Sequence, residues 1–409
     1  MRILVINSGS SSIKFSIYDS APIGSGGDPD CLCDGELSGI GTASADLHLK
    51  DATGAPIAGI RSEIGKATTQ DAFELILKAL QTANMHNIDA VGYRVVHPGP
   101  KLDRHVKITP EILADLEAAA PFAPLHDPAV LAVIRQGMTT FPNIPHFACF
   151  DTVFHQTMPE EATIYPIPKS FRDAGVHRYG FHGLSCESIV RQLAASPTGI
   201  PQRLVIAHLG SGCSITALRN GQSVDTTMGL TPTGGIVMGT RPGDLDPGLV
   251  LYLLRQQPGD RDQAAAALES LLNHNSGLVA LSEMPNDVRA LRKAAIDGNT
   301  QATLALKVFT LSITKALGAF FWLLGGLDAI VFTGGIGEHD AQTRSDVLGH
   351  LNDQGISINS QQNQTPGSGL QTISAPQSKI AILVAPAQED LMIAIHVLHM
   401  AHPGNQSGT

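Results

Sequence analysis

Twice in this chain an apolar strand runs into a short Gly/Ser turn and straight back out as a second strand, and the repetition points to two related lobes. In MRILVINSGSSSIKFSIYD, Ile3 to Ile6 form the first run and Asn7 to Ser12 the turn, after which Ile13, Phe15 and Ile17 alternate with Lys14 and Ser16 at the strand period. Downstream, RLVIAHLGSGCSITALRNG repeats the pattern, with Leu204 to Ala207 as strand, His208 to Ser214 as turn, and Ile215 and Ala217 resuming the alternation. Ser12-Ile13-Lys14-Phe15 then matches Ser214-Ile215-Thr216-Ala217, provided the second turn holds one extra residue. A third apolar run, from Ala329, ends in Thr333-Gly334-Gly335-Ile336-Gly337-Glu338. A lone Ser-rich turn is an ordinary hairpin. Three of them after apolar strands, with glycines that admit an anion to the backbone and Lys14 as a donor, predict one nucleotide held between two related lobes.

The 409 residues suffice for two domains, and a composition 43% hydrophobic and 16% charged describes a globular enzyme. A net charge of −10 with no Lys/Arg run beyond two residues leaves no footprint for nucleic acid or an anionic membrane, so an anionic substrate must be held by a few local cations. Met1-Arg2 leads straight into a strand, so no cleavable leader is expected. The apolar stretch 316–327 is too short to cross a bilayer and reads as a buried helix end. Cys31, Cys33, Cys149, Cys186 and Cys213 are scattered without zinc spacing, which suits a reducing cytoplasm.

Helical periodicity is clearest in 71–83, 110–119, 183–194, 262–272, 287–295 and 301–324, alternating with strand-like runs near 90–96 and 146–150. Such alternation predicts α/β lobes with mixed sheets. Segments 21–35 and 359–378 read as surface loops, and 402–409 as a frayed tail.

Several charged residues fall at turns. Arg94, in GYRVVHPG, stands at the end of an apolar run before a Pro-Gly break, and Arg241 lies in MGTRPGDLDPG; each is an ordinary surface ion pair alone, and together they are a clamp for a carboxylate or phosphate. Asp151 follows the strand HFACF, and Glu389 and Asp390 follow the run 380–384. Carboxylates at strand ends beside phosphate turns suit Mg²⁺, with helix capping as the plainer alternative. The sixteen histidines contain no metal-binding spacing, but His126, His182 and His208 sit in turn-rich settings as donors to phosphoryl oxygens.

In order from Asn7 to Ala394 the chain carries NSGSSSIKF, GYRVVHPG, FAPLHDP, FDTVFHQTMP, RYGFHGLS, HLGSGCS, DTTMGLTPTGGIVMGTRPGDLDPG, SGLVALSEMPNDVR, FTGGIGEHD and QEDLMIA. Through these it resembles the acetate kinase family, essentially end to end. The resemblance implies the superfamily of acetate and sugar kinases, heat-shock chaperones and actin: α/β, with two related ribonuclease-H-like lobes and an active-site cleft between them. Residues 1–150 with 385–409 would form an N-terminal lobe on the acceptor and Mg²⁺ side, and 151–384 a nucleotide lobe.

The resemblance further implies Asn7 and Glu389 at a Mg²⁺ site that Mn²⁺ also fits, and Lys14 toward the ATP phosphates. His208, Leu209, Gly210, Ser211 and Gly212 would form the second phosphate turn. Asp287, Val288, Arg289, Gly335, Ile336, Gly337, Glu338 and His339 would lie on the adenosine side. Arg94 would hold the acetate carboxylate, Arg241 and His182 the transferring phosphoryl group, with Asp151 and His126 close to the reacting oxygens. Val96, Leu125, Phe181 and Pro232 would line the methyl pocket. The implied enzyme is a cytoplasmic homodimer that moves a phosphoryl group between ATP/ADP and acetate/acetyl phosphate, with no nucleic-acid or membrane partner. Three positions depart from the family pattern: Ser211 and His339 stand where asparagine is usual, and Gln388 precedes Glu389 where the family has Asn.

Acetate is ionised at neutral pH, its carboxyl pKa lying near ~4, so positioning and charge neutralisation must carry the reaction. A sugar kinase would instead need a carboxylate base for its hydroxyl, for which Asp151 is suited, but would leave the paired arginines without an anion. A chaperone-like ATPase would consume ATP without any small carboxylate.

Overall fold

A computed structural model describes the chain except residues 10–11, 21–26, 61–62, 123–126, 366 and 403–409. The chain forms two compact units, Met1–Val153 with Gln388–Thr409, and Phe154–Ala387.

In the first unit the strands are β1 (Arg2–Ser8), β2 (Ser12–Asp19), β3 (Asp30–Ser38), β4 (Ala45–Asp51), β5 (Glu63–Gly65), β6 (Ala90–Val95), β7 (Val106–Lys107) and β8 (His146–Phe150). They form one sheet in the order β5-β4-β3-β2-β1-β6-β8-β7. Antiparallel hairpins join β1, β2 and β3, whereas β1, β6 and β8 run parallel. Ile3 to Ile6 are fully buried, as expected of a central strand covered on both faces. One face packs Phe73, Ile76 and Leu80 of helix Thr69–Thr82 and Ile134 of helix Asp127–Thr140 into a core with Leu4, Ile6 and Phe15. Helix Glu389–Ala401 covers β1, β2, β6 and β8.

In the second unit the strands are β9 (Arg203–Leu209), β10 (Cys213–Arg219), β11 (Gln222–Thr226), β12 (Ala329–Thr333), β13 (Gln371–Thr372) and β14 (Ala381–Val384), in the order β11-β10-β9-β12-β14-β13. Two antiparallel hairpins are again followed by parallel neighbours, so β9, β10, β11, β12 and β14 repeat the pairing of β1, β2, β3, β6 and β8. The duplicated α/β architecture is that of two related lobes.

Details differ from the sequence expectations. The register pairs Asn7 with Lys14 but His208 with Ser214, and Gly9 N donates to Ser12 O whereas Gly210 N donates to Gly212 O. The second turn is therefore one residue shorter, not longer, and His208 and Leu209 belong to β9. Gly334 to Gly337 open a short helix, Gly334–His339, instead of a turn. Within the supposed loop 21–35, residues from Asp30 pair as β3 and carry Cys31 and Cys33, while Ala21 to Gly26 lie outside the described residues. The supposed loop 359–378 contains helix Ser360–Gln364 and β13. Of the tail, His402 is described and 403–409 are not.

The apolar stretch at 316–327 belongs mostly to helix Thr300–Leu324, capped by the Asn299 side chain and ended by Gly325 at φ +70°. This helix is long and apolar enough to span a membrane by length and composition, but it buries one face in the second unit through Ala302, Ala305, Phe309, Ile313 and Phe320. Its end is buried on one face only: Leu317, Phe320 and Leu324 are buried, whereas Trp322 is 83% exposed. All five cysteines are free thiols.

Gly92 in β6 shows how tightly helix Glu389–Ala401 sits on the first sheet. A Cβ there would lie 2.6 Å from Val397 Cγ2 and 2.7 Å from Ile393 Cγ2, both on stiff β-branched side chains. Gly92→Ala should cost about 1–3 kcal/mol, read as a lower urea midpoint. An unchanged midpoint would refute this close packing.

Candidate active site

In the first unit the parallel strands β1, β6 and β8 end side by side, which gathers Asn7, Arg94 and Asp151; helix Glu389–Ala401 adds Glu389 and Asp390 at its first turn. Arg94 Nε donates to Asp151 Oδ1 at 3.1 Å, and its Nη2 donates to Asp151 Oδ2, a bidentate pair. Arg94 Nη1 donates to Asn7 Oδ1 at 3.3 Å, and Nε lies 3.9 Å from Glu389 Oε2. These hydrogen bonds use three of the five guanidinium donors.

The Asn7 amide donates to Glu389 Oε2 and Asp390 Oδ1, both at 3.2 Å, and Ser16 Oγ donates to Asp390 Oδ2 at 2.6 Å. Burial works against the charge of Arg94, but Asp151 and then Glu389 outweigh it and hold the guanidinium more firmly protonated than usual. Burial pushes the Asp390 carboxyl above its ordinary range, with the Ser16 and Asn7 hydrogen bonds pulling it back. Asn7 and Glu389 present oxygen ligands, the donor type a small divalent cation takes. Lys14 lies opposite Asn7 in the β1–β2 register, with its side chain exposed.

The second unit assembles a different set. His182 precedes helix Gly183–Ala194 and has φ +58°, a left-handed conformation unusual for a residue with a side chain. Its ring stacks on that of His208, with centroids 4.1 Å apart. His182 Nδ1 lies 3.0 Å from Ser214 Oγ, and His208 Nδ1 lies 2.8 Å from Ser185 Oγ. Each Nε2 faces glycine: a Cβ on Gly212 would meet His182 Nε2 at 3.3 Å and Arg241 Nη1 at 3.5 Å, and one on Gly334 would meet His208 Nε2 at 3.1 Å. Glycine thus keeps open the space where two imidazoles, a guanidinium and the turn 210–212 converge. Arg241 is oriented by Pro232 O, which accepts from Nη1 at 2.9 Å.

Ser211 Oγ accepts from the Asn286 amide at 3.1 Å, tying this turn to the segment that begins helix Val288–Ile296. Asp287 caps that helix, and the Arg289 and Ala290 amides that it accepts hold its carboxyl below the usual range. Glu338 is also spent locally: its Oε1 accepts from Gly334 N and Ala387 N at 3.0 and 3.1 Å. Buried Arg344 donates to the carbonyls of Gly337 and Glu338 and fixes helix Gly334–His339 from behind. Gly335, Arg289 and His339 are exposed, Ile336 is half-buried, and Gly337, Leu209 and Val288 are buried, so Leu209 and Val288 can offer only backbone.

Val96 is buried in the first unit, and Phe181 and Pro232 in the second. Leu125 and His126 lie outside the described residues. Ser185, Ser214, Asn286 and Arg344 were not anticipated. The first three are adjacent in sequence to chosen residues or lie within a quoted motif, but no local pattern marks Arg344.

Residues 2–395 match the Acetokinase family. The chain is 38% identical to an acetate kinase of Parabacteroides distasonis over 98% of its length and 99% of that protein. It is equally 38% identical to a propionate kinase of Salmonella typhimurium, over 99% and 98% of the two chains. The crystal structure of Porphyromonas gingivalis acetate kinase superposes with a TM-score of 0.82 at 35% identity, covering 98% of this chain and 99% of that one.

The Arg94–Asp151 pair yields a stability prediction, because removing one partner strands a desolvated charge. Asp151→Ala should cost about 3 kcal/mol, while Arg94→Met added to it should recover part of the loss. Urea denaturation of the three proteins decides it; a double variant no more stable than Asp151→Ala would overturn the pairing energetics.

Proposed function

This chain belongs to the acetokinase family, ATP-using phosphotransferases whose acceptor is a carboxyl group, and we propose that it transfers the γ-phosphoryl group of ATP reversibly to acetate, giving acetyl phosphate and ADP. The observation that carries this reading is the Arg94 guanidinium, locked in place by Asp151 and Asn7 at the strand ends with donors to spare for an anion. A carboxylate oxygen of acetate attacks the γ-phosphorus in line; the new P–O bond forms as the bond to the bridging oxygen breaks, and the electron pair leaves with ADP. No base is needed, because the acceptor is already ionised.

From the first unit, the acceptor and metal side, Arg94 holds the carboxylate, Val96 bounds the methyl group and Asp151 orients Arg94. Lys14 reaches toward the nucleotide phosphates. From the second, the nucleotide side, His182 and Arg241 offset charge on the transferring group, and His208 with the 210–212 turn receives the phosphates. Segments 287–289 and 335–339 face the adenosine. Phe181 and Pro232 of the second unit are assigned to the acceptor's methyl group; Leu125 and His126, which the family resemblance assigns with them, lie outside the described residues. Asn7 and Glu389 fit Mg²⁺, or Mn²⁺ in its place, which when bound neutralises phosphate charge. The enzyme is soluble, and we assign it to the cytoplasm, where its five free thiols persist.

The propionate kinase relative, matched as well as the acetate kinase, raises the competing acceptor. Burying one more methylene normally gains ~0.8 kcal/mol, so a preference for acetate requires a larger steric penalty. Trapping acyl phosphates with hydroxylamine, using ATP, Mg²⁺ and acetate, propionate or butyrate, should show acetate preferred. Val96→Ala should shift kcat/KM toward the longer acids. No hydroxamate with any acid would sink the kinase reading, and an unchanged ranking in the variant would remove Val96 from the pocket.

We also propose a homodimer, formed through the outward face of helix Thr300–Leu324, where Leu304, Leu311 and Trp322 are 48%, 53% and 83% exposed. Sedimentation should give a dimer for the parent and a folded monomer for Leu311→Glu combined with Trp322→Glu. A dimeric variant would place the interface elsewhere.

A further inference from the structure

His155 lies in FDTVFHQTMP, has no role in the reaction above and is 1% exposed. Its Nε2 is 2.8 Å from the carbonyl oxygen of Phe181, and its Nδ1 is 3.0 Å from Ser223 Oγ. A carbonyl only accepts, so Nε2 carries the proton and Nδ1 takes the hydrogen of the Ser223 hydroxyl. Ser223 is itself held, its carbonyl accepting from Thr157 Oγ1 at 2.8 Å. The hydrogen bond to Phe181 O therefore comes from a ring of fixed tautomer and orientation.

What the ring holds is an irregular tripeptide. Gly180 has φ +74°, and a Cβ there would lie 2.8 Å from His155 Cγ and Cδ2, so the imidazole rests against bare backbone. Phe181 follows with its carbonyl taken by His155. His182 comes next in the left-handed conformation, which disfavours a side-chain-bearing residue by about 1 kcal/mol and persists only where surroundings impose it. On the far side, Cys186 N donates to His182 O at 3.0 Å and Ser214 meets the His182 ring. On the near side the Gly229 carbonyl accepts from Tyr179 N at 3.1 Å and Gly180 N at 3.4 Å, and His155 restrains the Phe181 carbonyl that follows.

We propose that His155 is a positioning residue that holds Phe181 and His182 in the geometry phosphoryl transfer requires. It touches no substrate; it acts through the peptide unit joining those two residues. The inference rests on the reading above, in which Phe181 bounds the acceptor pocket and His182 faces the transferring group. Burial pushes the His155 imidazole down to about 4, so it stays neutral and its tautomer holds across the working pH range.

The test uses His155→Gln, whose Nε2 reaches the same carbonyl, and His155→Ala, which removes the donor. His155→Ala should lower kcat about tenfold to a hundredfold with KM for ATP little changed; His155→Gln should retain most activity, and added imidazole should partly restore the alanine variant. Placed on His182→Ala, the His155→Ala change should cost less than it does alone, because part of its effect passes through the ring already removed. Multiplicative losses, or a full loss in the Gln variant, would overturn the proposal. Independently of turnover, the His182 ring titration followed by NMR should move in His155→Ala and hold in His155→Gln; no movement in either overturns it. Should the alanine variant fail to fold, Ser223→Ala, which releases the tautomer, should give a smaller shift of the same titration, and its absence counts against the proposal. A parent enzyme that forms no acyl phosphate sinks the functional reading, while the NMR result still decides the positioning.

Discussion

The constraint on which the first unit turns is a half-buried cation that must stay charged. Arg94 sits at the end of a central strand, where burial opposes its charge, and the surroundings answer with Asp151 in a bidentate pair, Glu389 at 3.9 Å and the Asn7 carbonyl. Those partners come from β1 and β8, the two strands parallel to its own, and from a helix far away in the chain. The strand order that gathers them is thus a requirement of the site, and the packing of Val397 and Ile393 against Gly92 keeps Glu389 within reach.

The second unit repeats the sheet but not the chemistry. Where the first has Asn7 opposite Lys14, the second has His208 opposite Ser214 and a turn one residue shorter. Its imidazoles are set by neutral hydroxyls at Nδ1, which leaves each Nε2 facing the glycine turns. A duplicated scaffold therefore offers two corresponding turns with different donors.

Local patterns made much of this legible. The paired hairpins, the helix 183–194 and the strand 146–150 were readable because apolar runs or a helical period are bounded there by turn residues. Helix Glu389–Ala401 was not, because strands pack along it and its nearly unbroken apolar run LMIAIHVLHM shows no period. Helix Asp127–Thr140 was obscured in the same way by the strand-like residues of AVLAVI. At the site, Arg94, Asp151 and Glu389 stood out as charges beside turns, but their mutual contact is a tertiary fact. Arg344 illustrates the limit: one arginine in an ordinary helix, it acquires its structural place from the carbonyls of Gly337 and Glu338 and from Asn363, which the fold turns toward it.

The unlike donor sets suit unlike charges on the proposed reaction. The acceptor carboxylate brings a full negative charge that is present before reaction, and a full cation fixed by its own counter-ions can hold it without being free to reorient. Charge on the transferring phosphoryl group spreads over three oxygens as the bond to ADP loosens. Several directional groups, two imidazoles, one arginine and turn amides, can be aimed at that distribution more closely than clustered cations could. A dense basic patch would bind the ground-state nucleotide as tightly as the transition state and so gain nothing in rate. A chain of net charge −10 with no long basic run, which keeps its cations few and individually positioned, is consistent with catalysis that depends on aim more than on total charge.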